Sequence, residues 1–500
     1  LNYAEGRIFF NTLDGQFFGL DAATGEALWR TVGADLSIGE TTVGNMIIID
    51  NLLIGGNAGG ERGVRGKVQA FDINTGNLQW VMYSMGPDNE VGIGPRFNPF
   101  YADDKVGSLA TWYGDSWRRG GGTVWGYFTW DQDLNAFYYS TGNCGPWNPD
   151  YRREWGVVNL DENGGLVDYR NNWCASQMAR DATTGELVWA YNITPADNWD
   201  LDEPLNTPLV DIEINGQQRA LAMKAARNGA FYLWDRATGE IVTQPWDFRY
   251  IDFRTGIDME TGRALYDITK WNFSTLEDRR RYTDADPGRN ADGTTVADYT
   301  GTEVHWCPGI QSRNWQIDAW NPELGLHFVS ISYGCATQVV LEGEYVPGEG
   351  YQLRRSAGAN PRPRANMDGT LNPAAGALAA MSPTESRIVW SHDWIIANQQ
   401  PIMATATNLL FQGGVDAGVM RAFDAATGDI VWEFRTGSRF NQSPISYLGP
   451  DGKQYIAIIA SSAAANGAVA VDTAPDNANR YRRSGSTLYV FGLPDTIAAN

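Results

Sequence analysis

Apolar residues in this chain come in short runs, each cut off by a turn signal. Phe17-Phe18-Gly19-Leu20 leads straight into Asp21-Ala22-Ala23-Thr24-Gly25, and the pattern D-x-x-T-G recurs at Asp72, Asp181, Asp235, Asp258 and Asp424. Such a turn predicts a β-hairpin, because glycine supplies a positive φ and the aspartate caps the turn backbone. In four copies a tryptophan stands eight residues after the aspartate (Trp29, Trp80, Trp189, Trp432), where the returning strand places it between neighbouring sheets. A degraded copy runs from Met381 to Trp390. Asp21 to Asp72 is 51 residues, Asp181 to Asp235 is 54, and Asp72 to Asp181 is 109, about twice that period. A four-stranded sheet with its loops takes about 40 to 50 residues, so the units read as propeller blades of one all-β domain spanning residues 1–500. Asp258 follows Asp235 by only 23 residues and marks an extra hairpin. Residues 151–173 and 244–304 carry no blade signature and are expected to be surface insertions that shape one mouth of the propeller.

Composition supports this reading and narrows the function. The 20 tryptophans, 56 glycines and 22 prolines fit many short strands and turns, not a helical bundle. A net charge of −21 excludes nonspecific nucleic-acid binding through a basic face. The longest strongly apolar stretch, Ile456 to Val471, is 16 residues and is diluted by Ser461, Ser462, Asn466 and Gly467, so no transmembrane segment is encoded. Cys144, Cys174, Cys307 and Cys335 form no C-x-x-C pair, which excludes a zinc ribbon and a c-type haem attachment. Four spaced cysteines fit either two disulfides in an oxidising compartment or four buried thiols. The opening Leu1-Asn2-Tyr3-Ala4 has no initiator Met, charged n-region or apolar h-region, so a secretory signal is expected to lie outside this sequence.

The chemistry-bearing residues gather in loops. Gly59-Gly60-Glu61-Arg62-Gly63 sets one carboxylate among glycines whose N–H groups can approach an anion; a plain inter-strand turn is the bland alternative. Gly120-Gly121-Gly122-Thr123-Val124-Trp125-Gly126 places a tryptophan after residues of little bulk, fit either to face a planar cofactor or to pack a blade. Thr141-Gly142-Asn143-Cys144-Gly145-Pro146-Trp147-Asn148 offers the Asn143 amide oxygen, and Asn198-Trp199-Asp200-Leu201-Asp202-Glu203 offers closely spaced carboxylates. Carboxylate and amide oxygens suit a hard, multiply charged cation. Arg227, in Ala226-Arg227-Asn228-Gly229, adds a cation able to polarise a carbonyl.

In this order the five motifs resemble the quinoprotein alcohol dehydrogenases, and the similarity runs from the first hairpin to Leu488-Tyr489-Val490-Phe491. The resemblance implies an eight-bladed propeller with tryptophan-docking motifs, a pyrroloquinoline quinone (PQQ) cofactor, one metal ion and a periplasmic location. Glu61, Asn143 and Asp200 resemble the metal ligands, Asp200 also the catalytic base, and Trp125 the ring beneath the quinone. Arg227 resembles the arginine at the quinone's reactive oxygen; Asn314, Gly59 and Gly60 resemble further cofactor contacts. Asp202 resembles the additional carboxylate of lanthanide-using members, so a lanthanide(III) is expected, with Ca2+ as runner-up. Cys307 and Cys335 match a disulfide of the family, which leaves Cys144 and Cys174 as the second pair, although the sequence does not settle that pairing. The family's adjacent cysteine pair and an upstream Glu and Arg have no counterpart here, so the first blade is expected to be incomplete.

The activity implied is oxidation of an alcohol to an aldehyde or ketone by hydride transfer to the quinone, with Asp200 as general base and Arg227 at the developing oxyanion. Without C-x-x-C-H, electrons are expected to leave to a separate c-type cytochrome. The resemblance implies a small-molecule alcohol as substrate, and a homodimer is compatible with the sequence. The alternative from another class is a non-catalytic tryptophan-motif propeller scaffold of the outer-membrane assembly type. The joint presence of Glu61, Asn143, Asp200 and Arg227 separates the two.

Overall fold

A computed structural model describes residues 1–154, 157–266, 303–309, 312–356, 364–395, 400–414, 418–436, 440, 442–461 and 486–492. Contacts divide the chain into two compact units, residues 1–315 with 334–370 and residues 316–333 with 371–500. Both consist of antiparallel sheets that run up and down in sequence order, the blades of an all-β propeller. In the first unit the blades are Asn2–Ala4, Arg7–Thr12, Gln16–Asp21 and Ala27–Val32; Met46–Ile49, Leu52–Gly56, Lys67–Asp72 and Leu78–Tyr83; Thr129–Asp131, Ala136–Ser140, Ser176–Asp181 and Leu187–Asn192; and Leu209–Ile214, Gln217–Ala225, Ala230–Asp235 and Trp246–Asp247. The second unit holds two four-stranded sheets, beginning at Ala319 and Ile402, and a three-stranded one, Ile445–Leu448, Gln454–Ser461 and Ser486–Gly492.

The described residues thus build seven blades, not the eight that the family resemblance implied, and the first blade has all four strands. Hairpin signatures stand in six of these sheets, the sheet from Ile445 to Gly492 carries none, and the eighth blade came from the resemblance alone. The extra hairpin after Asp235 is present, pairing Arg254–Ile257 with Ala264–Tyr266.

Local chemistry explains the repeat. In the first turn Asp21 Oδ1 accepts hydrogen bonds from Ala23 N (3.0 Å) and from Thr24 N and Oγ1 (2.8 and 2.9 Å), and Gly25 closes it. Trp29 on the returning strand donates Nε1 to Ile73 O at 2.9 Å, and its ring lies over Gly76. At Gly76 φ is +71° and a β-carbon would come within 2.6 Å of that ring, so no larger residue fits. Trp80 covers Gly185, Trp189 covers Gly239 and Trp390 covers Gly428 in the same way. Trp432 departs from the pattern: it stays partly exposed with Phe491 against it at 5.1 Å between ring centroids. Within a blade the strands in the middle are covered on both faces, so Ala136–Ser140 is buried throughout.

Cys144 pairs with Cys174 and Cys307 with Cys335, which removes the free-thiol alternative. The excursion over 151–173 is buried at its two ends, while residues 157–164 and 167–169 between them are exposed or half-buried. Arg152, Asn171, Asn172 and Trp173 are fully buried, and Arg152 donates to Pro146 O (2.8 Å), Asp197 O (2.7 Å) and Asn198 Oδ1 (3.0 Å). A guanidinium with that many carbonyl acceptors works as an internal brace between loops. Of the second excursion, 267–302 lies outside the described residues. Its flanks add the hairpin above and a sheet of Glu303–Trp306, Ala336–Val340 and Arg354–Ser356. No helix among the described residues is long and apolar enough to cross a membrane.

Candidate active site

Asp202 is the hub of the site. Its Oδ1 accepts from Asn143 N at 2.8 Å and from Trp125 Nε1 at 3.4 Å, and its Oδ2 accepts from Arg227 Nη1 at 2.8 Å. Three residues that the sequence singled out separately, 77, 59 and 25 positions away, therefore meet on one carboxylate. The approach is close because residue 142 is glycine: a β-carbon there would lie 2.7 Å from Asp202 Oδ1. Asn143 Nδ2 donates to Cys144 O at 3.0 Å, which fixes the amide; a β-carbon on Gly60 would stand 3.7 Å from Asn143 Oδ1, so the Glu61 turn lies alongside.

Each functional side chain has a local reason for its position. Glu61 rides on a single helical turn, Gly60–Arg62, flanked by Gly59 and Gly63 in left-handed conformations. Asp200 also has a left-handed backbone, φ +65°, uncommon for a residue with a β-carbon. Asp197 holds it there, its buried carboxylate accepting from Trp199 N (2.9 Å) and Leu201 N (3.1 Å) on either side of Asp200. Arg227 N donates to both Glu203 carboxylate oxygens at 3.1 and 3.2 Å, and Ser312 Oγ donates to Arg227 O at 2.6 Å. Half-buried Asn314 follows two residues after that serine.

Burial and charge set the electrostatics. Asn143, Asp200, Asp202 and Arg227 are buried, whereas Glu61 keeps contact with solvent. Burial pushes the Asp200 carboxyl well above the ordinary carboxylate range; Asp202 adds to this, while Arg354 and Arg227 oppose it. Glu61 is raised by loss of water and by the charge of Asp202. Burial likewise raises Glu203 to about 7, despite Lys224 nearby.

The four predicted ligands share one neighbourhood but do not form a ready cage. Among the described residues no three His, Cys, Asp or Glu side chains stand together as metal ligands. Asp200 is engaged by Arg354, whose Nη2 donates to Oδ2 at 2.5 Å, and Asp202 by Arg227. The donor set nevertheless fits a hard cation: three carboxylates and an amide oxygen, with the Asp200 and Glu61 carboxyls in surroundings that disfavour their charged forms and that a cation would relieve. Arg354 is the residue that sequence reasoning missed. It lies 154 positions from Asp200, and no motif marks it. Glu203 was visible as the next residue in the acidic run, while its bond to the Arg227 backbone was not.

Several known proteins are similar to this chain over most of its length. A relative from Methylacidiphilum fumariolicum (strain SolV), named lanthanide-dependent methanol dehydrogenase, is 34% identical over 99% of this chain and 74% of its own length. A Paracoccus denitrificans protein named methanol dehydrogenase [cytochrome c] subunit 1 is 29% identical over 90% of this chain and 65% of its own. A solved structure described as a europium-containing methanol dehydrogenase superposes with a TM-score of 0.83 at 30% identity, covering 98% of this chain and 80% of the other. The family described as "Glucose/ethanol/alcohol dehydrogenase, beta-propeller domain" matches residues 2–245 and 371–456, and the chain belongs to this family of PQQ dehydrogenases.

Proposed function

We propose that this chain oxidises a small-molecule alcohol to an aldehyde or ketone, and that Trp125, Arg227, Asn314, Gly59 and Gly60 would hold PQQ. Glu61, Asn143, Asp200 and Asp202 would hold the metal ion. When bound, the quinone supplies a hydride acceptor and the ion a Lewis acid. Asp200 takes the proton from the substrate hydroxyl, and its fixed left-handed backbone keeps the carboxylate aimed without reorganisation. Arg227, buried and braced by Glu203 and Ser312, brings a positive charge to where negative charge develops. The observation that carries the reading is the meeting of Trp125, Asn143 and Arg227 on Asp202. A scaffold has no use for such a buried set.

Asp202 also favours a lanthanide over calcium, since one more carboxylate in a buried site rewards a third positive charge. Two disulfides support an oxidising compartment, and with it the periplasm. Electrons would leave to a separate c-type cytochrome, in line with the name of the Paracoccus relative. The test is reconstitution of the purified chain with PQQ and either Ca2+ or a light lanthanide, followed by an alcohol panel with an artificial electron acceptor. Quinone absorbance and alcohol-dependent dye reduction are expected. No PQQ retained and no turnover with either metal would return the chain to the scaffold reading.

A further inference from the structure

A charged cavity lies in the first unit, with a volume of about 370 Å3. Arg65, Lys67, Arg118 and Arg119 line it, against two acids, Glu40 and Glu90. In a chain of net charge −21 this is a local reversal of sign. The acids are spoken for. Glu40, almost fully buried, accepts from Asn57 Nδ2 at 2.7 Å and Asp35 N at 2.8 Å and pairs with Lys67 at 2.9 Å. Glu90 pairs with Arg65 at 2.6 Å. Arg118 pairs only with exposed Asp115, at 3.6 Å and outside the cavity lining, and Arg119 forms no ion pair among the described residues. The cavity lining itself therefore carries two more positive than negative side chains, Arg118 and Arg119 having no acid within it.

These guanidinium groups are also prearranged. Arg65 lies 3.5 Å over the Tyr83 ring and 5.0 Å from that of Trp117; Arg118 lies 4.4 Å from Trp117, giving a ladder Tyr83–Arg65–Trp117–Arg118. Arg119 stacks on Tyr345 at 3.7 Å. Stacking covers the flat faces of a guanidinium and leaves its edge N–H fork for two oxygens of a carboxylate or phosphate, so little side-chain freedom remains to be lost on binding. Like charges gathered in a concave site repel one another, and an anion removes that cost.

We propose that this cavity binds a small, doubly charged oxyanion, a dicarboxylate or a phosphate, between the forks of Arg118 and Arg119. The site is separate from the alcohol-oxidising reading and does not depend on it. Its walls do reach the candidate active site: Gly63 and Val64 follow the turn that carries Glu61, and Arg118 and Arg119 precede the glycines whose backbone bonds Asn143 and Gly145.

Calorimetric titration of the purified chain, without added metal, tests the proposal at constant ionic strength. Inorganic phosphate and succinate form the two arms, and sodium chloride is the control. One anion per chain is expected in at least one arm, and which arm responds assigns the source as phosphate or dicarboxylate. Affinity should fall at least tenfold in Arg118→Gln/Arg119→Gln and in Arg119→Gln alone, with unchanged melting temperature. Arg30→Gln, away from this cavity, should bind as the parent does. No heat beyond the chloride control in either arm, or equal affinity in the double variant, would overturn it.

Discussion

Arg354 Nη2 donates to Asp200 Oδ2 at 2.5 Å, and the same guanidinium lies 3.4 Å from the centre of the Trp147 ring. Arg354 comes from the short strand Arg354–Ser356, inside the stretch that the family match leaves uncovered. It is a resident cation on a carboxylate that the proposed metal ion also needs. Arg354→Gln removes that competitor and should raise the affinity for Eu3+ about tenfold, roughly 1.4 kcal/mol. Europium luminescence titration without alcohol reads this directly. Weaker europium binding in the variant would mean that Arg354 supports Asp200 and does not compete for it.

Asp200→Asn keeps the size and the left-handed turn but cannot take the hydroxyl proton. Alcohol turnover should fall by about 10² to 10⁴, while PQQ absorbance and the melting curve stay as in the parent. Full turnover in this variant, with cofactor and metal loaded, would remove Asp200 from the mechanism.

Asp202→Asn retains an oxygen for Asn143 N and deletes one negative charge. A trivalent ion loses more attraction than a divalent one, so the ratio of europium to calcium affinity should drop at least tenfold. Competition titration of the two metals gives that ratio, and an unchanged value would show that Asp202 plays no part in selectivity.

Much of this was legible because it is short-range. The Asp21 turn and its five relatives are written in five consecutive residues, and the position of Trp29 over the next glycine follows from a fixed offset. Glu61, Asn143, Asp202 and Arg227 were legible as types in glycine-rich or acidic loops, and the fold brings them together. Arg354 was not, because an arginine 154 residues from its partner carries no local signature. The burial of Arg152 escaped for a related reason. Its charge and the polar run around it read as surface, and only carbonyl-type acceptors, on Pro146 nearby and on Asn171, Asp197 and Asn198 farther along the chain, make burial tolerable. The blade count failed because it was inferred from likeness and not from strands.

Gly76→Ala tests the tryptophan contact. The new methyl group would meet the Trp29 ring at 2.6 Å in a backbone conformation with φ +71°. Strain and overpacking together should cost about 2 to 3 kcal/mol, lowering the melting temperature by several degrees. Gly25→Ala has the same sign of φ with nothing within 4 Å of the added carbon, so it should cost less. Equal losses in the two variants would show that backbone strain, not the ring, makes Gly76 necessary.

Asp104 gives the pH dependence. It is buried beside Asp103, with Arg170 and Arg263 in its field, and burial raises its carboxyl to about 7. In the unfolded chain the group titrates near 3.8. Between those values the folded protein holds a proton that the unfolded chain has released, so stability falls as pH rises from about 4 to about 7 and then levels off. The stabilising proton is fully effective only below the lower value. Asp104→Asn removes the dependence: at pH 8 the variant should be more stable than the parent, by as much as about 4 kcal/mol, and near pH 4 the two should converge. Melting curves of both proteins across pH 4 to 8 make the comparison, and because every other group is common to both, their difference isolates Asp104. Curves that run parallel through that range would show that the arginines keep Asp104 ionised throughout.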